Sequence, residues 1–397
     1  MSNDFENRYS MTVSTEIKPI KTEPWMLDPS ITYLNHGSFG ARVVSVFDYQ
    51  VALKRELEAS PVDFLDRHRG RVEDARRVVA SFLGANSAGF GFVDNATTGV
   101  GCVVNSIKFN QNDEILTTSL VYNGVRQLLR RVASDAGCSY REFPIDLPIH
   151  NAAEIVQLVS DAITNRTKLL VIDHVASAAA VVLPVHEIIQ ICRNKGVLVL
   201  VDGAHAPGML DLNIENVGAD WYVGNLHKWV CAPLGAGFVW ASEEHHETTH
   251  PMTVSHPYEE GFVKEFDWQG TKDITPWLAA AKAVEWGEEI GWQRIQEHNH
   301  ALVTWMHRTL VETWNVEPLT PVDGSMIGNM ATVRLPDKCP QEMEECLQFR
   351  DYIFEKNQIE VPFFELHGMG VVRLSAQLYT RQTNLEHLIR AISDFLS

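Results

Sequence analysis

Apolar residues recur along this chain at two periods, and the alternation between the two predicts its architecture. Over 44–58 and 71–83 the spacing is helical, with Val44, Phe47, Val51 and Leu57 on one side of the first segment. Beyond Ala85 short apolar runs take over, at 90–93, 114–118, 168–173, 197–201, 221–224 and 236–240. They are rich in Val, Ile and Leu and nearly unbroken by polar residues, as strands covered on both faces of a parallel sheet are. Helical stretches at 124–136 and 185–195 separate them. The expected fold class is therefore α/β, with a doubly wound, mostly parallel sheet. In such sheets ligands bind beyond the carboxyl ends of the strands, so the residues that close each run carry the most weight.

A long helical pattern follows from Pro276 to Trp314, with a break expected near Gly291 and with Trp277, Trp286, Trp292, Trp305 and Trp314 along it. These tryptophans read as packing between domains. Strand-like segments at 330–335 and 371–375 then alternate with helical ones at 341–356 and 385–396, which describes a smaller α/β domain. At 397 residues the chain exceeds what one hydrophobic core organises. The expected division is an N-terminal arm over 1–30, punctuated by Pro19, Pro24 and Pro29, a large domain over 31–285 and a small C-terminal domain over 286–397.

Composition narrows the classes of function. Hydrophobic residues at 45 % and charged residues at 21 % leave ample material for two cores. The formal net charge of −18 repels phosphate backbones and anionic lipid heads, which argues against nucleic-acid and membrane partners. Six scattered cysteines without a CxxC pair fit a reducing compartment. The polar N-terminus lacks the pattern of a signal peptide, and no apolar run nears the ~20 residues that span a bilayer. A cytoplasmic protein is the expectation.

The densest chemistry lies between 197 and 240. One apolar run ends on Asp202, and a buried carboxylate there is costly unless a cation faces it. Another runs into Gly-Asn-Leu-His-Lys-Trp, which carries Lys228. An amine and a carboxylate at two strand ends suit pyridoxal 5'-phosphate (PLP). The lysine forms a Schiff base with it, and the carboxylate keeps the pyridine nitrogen protonated. The same two residues also suit a structural ion pair between strands. The run Asp94-Asn95-Ala96-Thr97-Thr98-Gly99 precedes a helix, where hydroxyls and free N–H groups can receive a phosphate or simply cap the helix. Tyr122 lies just past another strand, where an aromatic ring can stack on a flat cofactor.

Six stretches in order carry a resemblance to a known family: 33–40 (Tyr-Leu-Asn-His-Gly-Ser-Phe-Gly), 95–99 (Asn-Ala-Thr-Thr-Gly), 201–208 (Val-Asp-Gly-Ala-His-Ala-Pro-Gly), 224–229, 269–273 (Gln-Gly-Thr-Lys-Asp) and 372–377 (Val-Arg-Leu-Ser-Ala-Gln). Together the chain resembles the class V aminotransferases, fold-type-I PLP enzymes, in the branch of the isopenicillin N epimerases. The resemblance implies that Lys228 is the Schiff-base lysine and that Asp202 pairs with the pyridinium nitrogen. It implies that Thr97, Thr98, Asn225 and His227 hold the phosphate, that Tyr122 stacks on the ring and that His205 sits near the ring hydroxyl. Thr271 looks like the residue that reaches the cofactor phosphate of a neighbouring subunit, which implies a homodimer with shared active sites. Arg373 resembles the clamp for a substrate α-carboxylate, with Asn35, His36 and the glycine-bearing turn after them over the substrate pocket.

Two departures limit what transfers. Asn225 stands where cysteine desulfurases commonly carry serine or threonine. The segment 363–370 before Arg373 holds no cysteine, so the mobile thiolate of persulfide-forming desulfurases is missing. The expected chemistry is abstraction of an amino-acid α-proton. Epimerisation or racemisation of a modified amino acid leads. β-Elimination from a cysteine derivative, as in cysteine desulfhydrases or hercynylcysteine sulfoxide lyases, is the alternative, and transamination comes after it. Tyr122, Tyr258 and His367 are the candidates for a second acid or base. His245, His246 and His250, with Glu243, Glu244 and Glu247, lack a complete ligand set and read as an exposed polar loop, so no metal is expected.

Overall fold

The computed structural model describes residues 17–397; the first 16 residues of the expected arm lie outside them. A short strand β1 (Thr32–Tyr33) precedes the main sheet, which holds β2 (Phe90–Val93), β3 (Glu114–Thr118), β4 (Ser139–Phe143), β5 (Thr167–Asp173), β6 (Leu198–Gly203), β7 (Trp221–Asn225) and β8 (Gly237–Ala241). Their order is β2-β8-β7-β6-β5-β3-β4. Neighbours from β4 to β7 pair in parallel, and β8 runs antiparallel between β7 and β2.

Alternate residues of the central strands enter opposite layers. Leu170, Ile172, Val199 and Val201 join one core, whereas Leu169, Val171 and Leu200 join the other. That double coverage explains why these strands read as continuous apolar runs. The helix Ala96–Ser106 packs in the second layer through Val100, Val103 and Val104.

The helical pattern after Pro276 divides into Thr275–Ile290 and Trp292–Trp314, and Gly291 at φ 97 makes the break. Trp277 stacks on Phe92 with ring centroids 5.7 Å apart, and Trp286 meets Trp25 edge-on at 5.5 Å. A second core gathers Leu302, Met306 and Leu310 against β9 (Met330–Arg334) and against the helices Met343–Asn357 and Gln382–Leu396. A two-residue strand β10 (Ile359–Glu360) pairs in parallel with β1, so Leu34 lies in this second core and not in the one it adjoins in sequence. The strands β11 (Phe363–Leu366) and β12 (Met369–Ser375) form a hairpin beside β9. No helix of the described residues is long and apolar enough to cross a membrane.

Candidate active site

The carboxyl ends of β5, β6 and β7 open into a cavity of about 770 Å³ lined by Lys228, Asp202, Asp173, His205 and Arg373, among others. Lys228 follows β7 by three positions. The turn from Asn35 to Gly40 presses on it from behind: a Cβ on Gly40 would stand 2.2 Å from the Lys228 carbonyl oxygen and 2.5 Å from that of His227. Only glycine permits that approach.

Lys228 is partly buried. Loss of water around the amine, with the Arg373 charge nearby, lowers its pKa to about 7, while Asp202 and Asp173 oppose the shift. Its Nζ lies 3.0 Å from His205 Nε2. Burial, reinforced by the charges of Lys228 and Arg373, holds His205 neutral, well below the usual imidazole range.

Asp202 makes no direct ion pair with Lys228 among the described residues; its Oδ1 accepts the amide N–H of Ala204 at 3.0 Å. The structural-ion-pair alternative thus lacks its contact, and the two groups face one space. Burial raises the Asp202 pKa, and the Ala204 amide and the Lys228 charge pull it back.

At the other end of the cavity stands the start of the helix Ala96–Ser106. Asn95 caps it, accepting the Thr98 amide at 2.9 Å and the Thr98 hydroxyl at 3.2 Å. Asn225 reaches across from β7 to accept the Ala96 amide at 2.8 Å, which fixes the helix end to the sheet. Thr97, Thr98, Asn225 and His227 all line the cavity. His227 is drawn to about 4, by burial first and the Lys228 charge second. Tyr122 lines it as well, half exposed, at the start of the helix Asn123–Ala136.

Arg373, on β12, is buried with no carboxylate partner among the described residues. Its guanidinium donates to the Ser177 carbonyl oxygen at 2.7 Å, to Ser177 Oγ at 3.1 Å and to Ser38 Oγ at 2.8 Å, and its Nε has no partner. Burial lowers its pKa to about 10, so it stays charged at neutral pH. A desolvated guanidinium held open by hydroxyls is a ready receptor for a carboxylate.

Some expected residues stand elsewhere. His36 does not reach the pocket: it is wholly buried, its Nδ1 lies 3.0 Å from the Tyr379 hydroxyl, and its Nε2 lies 3.1 Å from the Lys228 carbonyl oxygen. Asn35 also lies outside the cavity lining, and Gly37, Ser38 and Phe39 of the same turn supply it instead. Thr271 is exposed and lies outside this cavity. The segment 363–370 before Arg373 forms the β11–β12 hairpin, whose tight turn takes His367 at φ 51 and Gly368 at φ 77. The turn geometry holds the His367 side chain at the exposed tip, and Tyr258 lies beside His250 at 5.6 Å; neither lines the cavity. Asp220, Glu244 and His245 do cluster, yet the His245 ring nitrogen already meets Asp220 at 3.0 Å.

Four neighbours escaped the sequence. Ser38 and Ser177 hold Arg373, Trp229 touches His205, and Asp173 closes β5 as Asp202 closes β6. The strand-end rule applied to 168–173 marks Asp173, and Ser38 belongs to the turn expected over the pocket; no local signal marks Ser177 or Trp229.

Known proteins share this organisation. The sequence profile described as aminotransferase class-V matches residues 59–388. The chain is 30 % identical to the isopenicillin N epimerase of Amycolatopsis lactamdurans over 93 % of its own length and 96 % of the relative's. It is 29 % identical to a probable chloroplastic L-cysteine desulfhydrase of Arabidopsis thaliana, covering 92 % and 83 %. A structure described as the cystine C–S lyase C-DES with its product cysteine persulfide superposes with a TM-score of 0.78 at 20 % identity, covering 92 % of this chain and 98 % of that one. The fold is that of the fold-type-I PLP enzymes, and the chain belongs to the class V aminotransferase family.

Proposed function

We propose that this chain binds PLP beside Lys228 and removes the α-proton of an amino-acid substrate, with epimerisation of a modified amino acid as the outcome. The observation that carries the reading is Lys228 itself: a buried amine drawn to about 7, in one cavity with Asp202 and with an Arg373 that lacks an anion. The residues present fit the cofactor. The Asn95–Thr98 helix end, with Asn225 and His227, would hold a phosphate, Asp202 a protonated ring nitrogen, His205 a ring hydroxyl and Tyr122 a ring face. The unpartnered Arg373 Nε and Asp173 Oδ2 are the polar atoms a ligand there would meet.

PLP supplies an aldehyde for the substrate amine and an electron-withdrawing ring. Arg373 binds the substrate carboxylate and so fixes which bond at the α-carbon faces Lys228. The amine of Lys228, about half neutral at pH 7 and increasingly so above it, takes the α-proton and holds it. Epimerisation needs a second group that delivers a proton to the opposite face. Of the three sequence candidates Tyr122 alone lines the cavity.

A C–S lyase acting on a cysteine derivative is the second reading. It needs one base only, and among the described residues the cavity offers no cation beyond Lys228 and Arg373 for a distal acidic group, which suits a short uncharged side chain. The exposed Phe39, Leu234 and Tyr122 around the opening, with Thr271 outside it, support a homodimer in which each subunit completes the other's site.

Incubation with candidate amino acids in deuterated water separates the outcomes. Recovered substrate of inverted configuration carrying α-deuterium marks the epimerase, and oxo-acid with released thiol marks the lyase. A visible absorbance band that Lys228→Ala leaves unchanged would sink the cofactor reading.

A further inference from the structure

Asp173 and Asp202 are register partners at the carboxyl ends of β5 and β6. Side chains of paired residues leave a sheet on the same face, so two carboxyl groups rise together into the cavity that holds Lys228. Each is only 3 % exposed. Asp202 has the Ala204 amide on Oδ1, whereas Asp173 Oδ2 is buried without a partner among the described residues.

The groups packed around the pair leave it short of positive charge. Arg373, from β12, donates to Ser177 and Ser38 and makes no ion pair with either acid among the described residues. His205, after β6, is neutral, and burial draws His174, after β5, to about 4. Tyr222, on β7, is kept protonated by burial and by the Asp202 charge, and its hydroxyl lies 2.7 Å from His174 Nδ1. Tyr122 presents its main-chain amide to Asp173. Lys228 remains as one amine facing two acids. Two carboxylates in a water-poor site beside one amine do not both ionise. Burial and the neighbouring Asp202 push the Asp173 carboxyl well above its ordinary range. A carboxyl that keeps its proton is a donor.

We infer that Asp173 donates a hydrogen bond to an acceptor atom of the cofactor or substrate held beside Lys228, as the uncharged member of a carboxyl pair whose charged member is Asp202. This deepens the PLP reading and rests on it. The uncharged partner also leaves Asp202 as the single negative charge at the strand ends, which keeps the Lys228 amine from being drawn back to its charged form.

Infrared spectroscopy of the purified protein at pH 7 reads the proton directly. The wild type should show the carbonyl band of a buried protonated carboxylic acid, lost in Asp173→Asn and retained in Asp202→Asn. Adding PLP to cofactor-stripped protein should shift that band. Asp173→Asn, which keeps a donor, should bind PLP at least tenfold more tightly than the similarly sized Asp173→Leu. A band that survives Asp173→Asn, a band unmoved by PLP, or equal affinity of the two variants would overturn the inference. Wild type that takes up no PLP would defeat the Lys228 reading, while the infrared comparison would still report whether Asp173 carries the proton.

Discussion

His205 Nε2 lies 3.0 Å from Lys228 Nζ, and this contact has a direction. The other ring nitrogen, Nδ1, faces the indole N–H of Trp229 at 3.4 Å. An indole nitrogen only donates, so Nδ1 accepts and the imidazole proton sits on Nε2, aimed at the lysine. An N–H donated to Nζ favours the neutral amine, in the same sense as burial. Trp229→Phe frees the ring to move its proton to Nδ1 and to offer Nε2 as an acceptor, which favours the ammonium. The expected result is an upward move, from about 7, of the pH midpoint at which PLP reacts with cofactor-stripped protein, followed as growth of the visible band. An unchanged midpoint would show that the indole does not set the tautomer.

The depressed Lys228 pKa also makes the cofactor-free fold sensitive to pH. The amine titrates at about 7 when folded and near 10.5 when free. Between those values the unfolded chain binds the extra proton, so this group makes stability rise with pH, by at most about 1.4 kcal/mol per pH unit. Below 7 the amine is charged in the fold as well, and the full cost of desolvating that charge is present. In denaturant titrations of cofactor-free protein, Lys228→Met should be more stable than wild type at pH 7, and the gap should close towards pH 10. A gap independent of pH would contradict the burial of this amine.

Arg373→Lys tests the carboxylate receptor. A lysine carries the charge but cannot bridge Ser38 and Ser177 while offering two parallel N–H groups. Loss of one partner of a buried charge pair costs roughly 2 kcal/mol or more, about 30-fold. Steady-state kinetics should show the drop in kcat/KM, carried mainly by KM. Uptake of PLP, followed by absorbance, should persist.

Gly40→Ala should destabilise the protein although the residue carries no chemistry. The new Cβ meets two main-chain oxygens, which cannot swing away. Overpacking of this kind costs about 1–3 kcal/mol and should lower Tm by a few degrees. Gly70→Ala, in the helix His68–Phe82 with open space around it, should instead gain about 0.5–1 kcal/mol. Calorimetry of the two variants gives opposite signs if the turn truly bears on Lys228.

The sequence made the interior of the sheet legible because strands covered on both faces must be apolar throughout. β2 and β3 match the predicted runs, and the ends of β6 and β7 deliver Asp202 and Lys228 to one cavity. The sheet's edge left no such mark. β4 reads Ser-Tyr-Arg-Glu-Phe and is half-buried over most of its length, and the helix Ala152–Ala162 that follows it also went unread. His36 lies outside the cavity lining for a different reason. Apart from the Ala41 amide, its partners Lys228, Tyr379 and Gln377 are distant in sequence, so little that is local separates a buried polar network from a pocket residue. Ser38 and Ser177 are ordinary serines until β12 brings Arg373 between them.

Tyr122→Phe tests which outcome follows proton loss. Tyr122 lines the cavity, stands half exposed at its rim, and begins the helix Asn123–Ala136. If its hydroxyl delivers a proton to the face opposite Lys228, Tyr122→Phe should slow inversion by about 10²–10⁴, the usual contribution of a positioned acid. Exchange of the α-proton for deuterium with retained configuration should continue, because Lys228 acts from its own face and does not need the phenol. Chiral chromatography with mass spectrometry reads both quantities from one incubation. Equal loss of inversion and exchange would mean that the ring only supports the cofactor. Unaltered release of thiol and oxo-acid by the variant would leave one base doing all the proton transfer, which is the lyase.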